Sequence, residues 1–113
     1  MGARLTTFEN RANVDMEIRV FVPPDRPDRY RMIVRLKPGE IRKVLTRSLF
    51  KYDTGETDNH IFLMIHVEGV YTGVTLLPWE VKKYAKIIGY YRGDSGVNLK
   101  GVRFTFSNLF RLE

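Results

Sequence analysis

Cysteine is absent from the 113-residue chain, which excludes thiol nucleophiles, thiolate metal sites, thiol-ligated iron–sulfur clusters and disulfide scaffolds together. Long apolar runs are missing too. The longest, Ile61–Ile65, falls far short of the roughly 20 residues that cross a bilayer as a helix. The opening stretch from Met1 to Glu9 turns polar and charged too early for a secretory leader, so a soluble, intracellular chain is expected. Glycine-rich phosphate loops, internal repeats and low-complexity tracts are also lacking. What is present is ordinary globular composition, 43% hydrophobic and 28% charged, which excludes disorder, collagen and coiled coil. Residues 1–113 are read as one domain, long enough to bury a core unaided.

Charge is unevenly spread. Residues 1–25 sum to −1, residues 26–51 to +7, residues 52–81 to −5 and residues 82–111 to +6. Arginine outnumbers lysine 12 to 7, and its planar fork favours phosphate and carboxylate. The blocks admit two readings: the acidic 52–81 segment faces the basic ones, or the basic ones face an external anion.

Val14, Met16, Ile18, Val20 and Val22 alternate with Asp15, Glu17 and Arg19, the clearest strand signal in the chain. Pro23, Pro24 and Pro27 stop it by fixing φ and removing donors. Tyr30–Leu36 alternates again, with Tyr30, Met32, Val34 and Leu36 on the core side, and Lys37-Pro38-Gly39-Glu40 has the chemistry of a type II turn. Ile41–Tyr52 reads as one or two shorter strands, His60–Val67 as a central strand and Val97–Phe106 as a late one. Between them, Val81, Tyr84, Ala85 and Ile88 fall at helical spacing opposite Lys82, Lys83 and Lys86. Pro78 suits the first turn and Gly89 the stop, so one short helix is expected near 79–88. A strand through Ile87–Tyr91 is the rival reading. Trp79 at the helix start is expected to be buried. The fold expected is all-β and mainly antiparallel: a β-sandwich or partly open barrel with one short helix. Its core is expected to include Val14, Met16, Ile18, Val20, Val34, Leu36, Leu63, Ile65 and Phe104.

Catalytic constellations are not found, and no enzyme is expected. His60 and His66 stand about 20 Å apart by strand rise, too far to share a metal. Asp53, Glu56 and Asp58 around Gly55 miss the register of a calcium loop and read as a solvated turn. No nucleophile elbow occurs. Neither cofactor nor metal is expected.

Phe8-Glu9-Asn10-Arg11 and Leu36-Lys37-Pro38-Gly39 are spaced as Phe-x-Asn-Arg and Leu-x-Pro-Gly elements. In this the chain resembles the β domain of the von Hippel–Lindau family over about a third of its length, which implies a sandwich and carries no function across. The expected role is therefore a non-catalytic binding or assembly module, partnered by another protein or by itself as a homo-oligomer. The alternative is single-stranded nucleic acid, held by basic groups beside aromatic rings. The binding residues expected on either reading are Arg26, Arg29, Arg31, Arg35, Arg42, Lys43, Tyr90, Tyr91 and Arg92.

Overall fold

The computed structural model describes residues 4–23, 26, 28–51, 61–93 and 96–103. In chain order the elements are β1 (Leu5–Asn10), β2 (Met16–Phe21), β3 (Met32–Leu36), β4 (Ile41–Leu45), α1 (Thr46–Leu49), β5 (Phe62–Val67), β6 (Val70–Leu76), α2 (Pro78–Lys83), β7 (Tyr84–Arg92) and β8 (Gly96–Arg103). They form two four-stranded sheets, ordered β4-β1-β7-β8 and β3-β2-β5-β6. All neighbours are antiparallel except β1 and β7. The expected sandwich architecture is present.

Period-two alternation explains the core. Met16, Ile18 and Val20 of β2, Val34 and Leu36 of β3, and Leu63 and Ile65 of β5 are all buried, as expected, and Val14 packs against them half-buried. The first sheet answers with Phe8, Val44 and Ile87. Phe104 lies outside the described residues. Where β2 crosses β7, Met16 comes so close to Gly89 that a Cβ there would sit 2.6 Å from its Sδ. Gly89 is thus a packing slot within a strand and not a helix stop.

Asn10 ties the ends of several elements together. Its backbone N–H donates to the Glu40 carbonyl (2.9 Å), and its carbonyl accepts from Gly39 N–H (2.8 Å). Its side-chain amide donates to the Val14 and Leu36 carbonyls, and its Oδ1 accepts from Ala12 N–H. Residues Phe8–Arg11 and Leu36–Gly39 therefore meet in space.

Two local expectations are corrected. The helix near 79–88 covers only Pro78–Lys83, and Tyr84–Arg92 is a strand, because pairing with β1 on one side and β8 on the other satisfies its backbone. Lys86 consequently leaves the face of Lys82 and Lys83. Ile41–Leu45 supplies one of the one or two short strands expected over Ile41–Tyr52, and the residues after it form helix α1. Tyr30 stays outside the core: β3 begins at Met32, and the Tyr30 ring lies on the outer surface of the second sheet.

A cationic outer face on the β4-β1-β7-β8 sheet

Register assigns each side chain of this sheet to a face. Phe8 opposes Ile87, and Ile87 opposes Gly101, all pointing into the core. The alternate positions point outward: Leu5, Thr7 and Glu9 on β1, Ile41 and Lys43 on β4, Lys86, Ile88, Tyr90 and Arg92 on β7, and Asn98, Lys100 and Val102 on β8. Arg11 continues the outward series of β1 and donates from Nη1 to the Tyr90 hydroxyl at 3.1 Å. Among the described residues this face holds the cations Arg11, Lys43, Lys86, Arg92 and Lys100 against one acid, Glu9.

Glu9 is buried at the centre of the patch. Lys86 Nζ lies 2.5 Å from one carboxylate oxygen and Arg11 Nε 2.5 Å from the other. Hydrogen bonds from Arg11, and then from Lys86, hold the Glu9 carboxyl below its ordinary pKa. One carboxylate is shared by two cations while Lys43, Arg92 and Lys100 carry further positive charge on the same surface. Lys86 and Arg92, six residues apart on β7, place the patch over about 20 Å of strand.

The outer face of the second sheet holds fewer cations. Glu17 bridges Arg19 and Arg35 (2.5 and 3.0 Å). Arg19 lies over the Tyr30 ring, and Tyr30 and Tyr71 flank the His66 imidazole at 5.7 and 5.5 Å. His66 is 3% exposed, and burial holds its pKa below the ordinary value. It belongs to a central strand, β5, and not to a sheet edge. His60 and the Asp53–Asp58 turn lie outside the described residues. Among the described residues no set of three metal-ligating side chains comes together, and no helix is long and apolar enough to cross a membrane.

The nine expected binding residues do not form one cluster. Arg26 and Arg29 are exposed between β2 and β3, and Arg31 is exposed just before β3. Arg35 is exposed but bound to Glu17, and Arg42 to Glu40 at 3.1 Å. Both line a groove of about 410 Å³ with Asp15, Glu17, Lys37 and Glu40, so acids and bases alternate there. Lys43, Tyr90 and Arg92 share the outer face of the first sheet. Tyr91, one residue from Tyr90, points to the opposite face and packs against the core, so the two rings cannot act as a pair. Ion pairs of the described residues include those to Glu9, Glu17, Asp28 and Glu40, while Asp53, Glu56 and Asp58 of the acidic 52–81 block lie outside the described residues.

Sequence reasoning missed Arg11, Lys86 and Lys100. The signal was the alternation of Lys86, Ile88, Tyr90 and Arg92 with Ile87, Gly89 and Tyr91, which competed with a helical pattern over the same residues. Trp79, expected in the core, is 63% exposed. Among the described residues these features define a two-sheet sandwich of eight strands, with the larger excess of cations on the outer face of the β4-β1-β7-β8 sheet. Comparison with protein-family models, curated proteins and solved structures gave no match.

Proposed function

We propose that the chain is a non-catalytic binding module whose working surface is the outer face of the β4-β1-β7-β8 sheet and whose partner is nucleic acid. The observation that carries this reading is the five-to-one excess of cations over acids around Tyr90 on that face. Lysine and arginine on an open sheet contact successive phosphates and release their counterions, and the half-buried Tyr90 ring among them adds base contact. Binding is then expected at about 50 mM salt and to weaken steeply toward about 200 mM. Replacing exposed Lys43 and Lys100 together with Glu should keep the fold by circular dichroism and cut oligonucleotide affinity at least about tenfold, with a shallower salt slope. Absence of binding to any oligonucleotide at low salt would sink the reading.

A protein, or a second copy of the chain, is the second reading. A groove of about 420 Å³ between the β5–β6 and β7–β8 turns supports it, lined by Tyr71, Tyr91 and the 69% exposed Val70. Light scattering after size exclusion, with wild type and Val70→Glu, tests that surface: concentration-dependent mass lost in the variant is the expected result.

A further inference from the structure

Helix α2 is short, yet it is fixed in place. Pro78 and Val81 are buried, and the Glu80 carboxylate accepts a hydrogen bond from Leu77 N–H at 3.0 Å. At its other end the Arg4 guanidinium donates to the carbonyl oxygens of Lys82 and Tyr84. With Pro78 and Val81 turned inward, Trp79, Lys82 and Lys83 share the outward side at i, i+3 and i+4. Lys82 Nζ lies 4.8 Å from the centre of the Phe50 ring, whereas Trp79, the only tryptophan, is 63% exposed. An indole held outward by an anchored helix, with ammonium groups on the same side, offers a planar stacking surface beside positive charge.

α2 leads without a break into β7, the strand that carries Lys86, Tyr90 and Arg92. From Trp79 to Lys86 the chain advances about 16 Å at most, by helix and strand rise. The indole therefore stands within a short length of chain of the cationic sheet face. We propose that Trp79 is a base-stacking platform that extends the cationic face and makes its partner single-stranded nucleic acid in preference to duplex. This rests on the reading of that face as a nucleic-acid surface. Charge complementarity selects the occupant: Lys82, Lys83 and the sheet cations suit a phosphate backbone, and the indole suits an unpaired base, which a duplex keeps within its own stack.

The single tryptophan makes the test direct. The full chain is titrated at about 50 mM salt with a single-stranded oligonucleotide of about 12 nucleotides, with the matching duplex and with vesicles containing anionic phospholipid, while indole emission is recorded. Trp79→Ala and Trp79→Phe are followed by anisotropy of labelled oligonucleotide, after melting curves show both folded. The expected result is quenching by the single strand and about a tenfold loss of single-strand affinity in Trp79→Ala, with duplex affinity unchanged and Trp79→Phe retaining most of the binding. If the single strand binds without altering emission, or Trp79→Ala affects both forms equally, the platform is overturned and the cationic face still stands. If no nucleic acid binds, the face reading fails and the platform with it. A blue shift on vesicles without nucleic-acid binding would overturn both in favour of a membrane surface.

Discussion

At Gly89 a missing side chain does structural work. Met16 fills the space that a Cβ would need, so Gly89→Ala must push a buried side chain of the facing sheet aside. Such overpacking costs about 1–3 kcal/mol, and thermal melting should show it. Adding Met16→Val, which vacates the Sδ position, should recover part of the loss. Glu9 is the other residue on which much depends. Its carboxyl is held below the ordinary 4.5 by Arg11 and Lys86, so it stabilises the fold above that value and ceases to as acid protonates it. Wild type should therefore exceed Glu9→Gln in stability near neutrality, and denaturant titrations should show the gap closing as the pH falls below the ordinary carboxyl value and Glu9 takes up its proton. Because Gln releases two cations on the sheet face, the same variant should bind polyanions more tightly at neutral pH. A weaker complex would contradict the role assigned to that surface.

Turns and edges explain most of what elements do here. Between β5 and β6 the two turn residues, Glu68 and Gly69, both have positive φ (51° and 81°). A two-residue hairpin of this kind favours Asn-Gly, and a Glu in the left-handed region is strained. Glu68→Asn should raise stability by roughly 0.5–1 kcal/mol in chemical denaturation; an unchanged midpoint would mean the turn is relaxed as it stands. Edges are guarded by charge. Arg35 on β3, Arg42 and Lys43 on β4, and Lys100 on β8 lie on outermost strands, where cations oppose edge-to-edge pairing. Several residues first singled out for binding thus have a protective task as well. The elements legible in sequence were those with one uniform period: β2, β3 and β5 alternate cleanly. β7 was obscured because Val81, Tyr84, Ala85 and Ile88 fit a helix while Ile87, Gly89 and Tyr91 fit a strand. Only pairing partners remote in sequence decide between the two. β1 went unseen, since Thr6 and Asn10 are buried polar residues that break apolar alternation. Their hydrogen bonds, Thr6 to Thr46 and Asn10 to three backbone groups, become visible only in three dimensions.

On the scale of the molecule, the candidate surface was half legible. Block counting pointed to residues 26–51, yet two of its arginines, Arg35 and Arg42, are engaged by Glu17 and Glu40. The face that keeps an excess draws Arg11, Lys43, Lys86 and Lys100 from four strands spread along most of the chain, a grouping that local charge cannot reveal. Trp79 was misplaced for a related reason. α2 is too short to wrap its whole circumference against the sheets, and Pro78 and Val81 take the inner side. One consequence concerns birth of the molecule. β1 is made well before its parallel neighbour β7, which begins at Tyr84. Until β7 has been made, β1 has only β4 beside it, with the other edge open and Phe8 lacking Ile87 as a companion. The β3-β2-β5-β6 sheet can close by short hairpins and neighbouring pairings meanwhile. The cationic surface therefore comes into being only once β7 and β8 have been made, after every strand of the β3-β2-β5-β6 sheet.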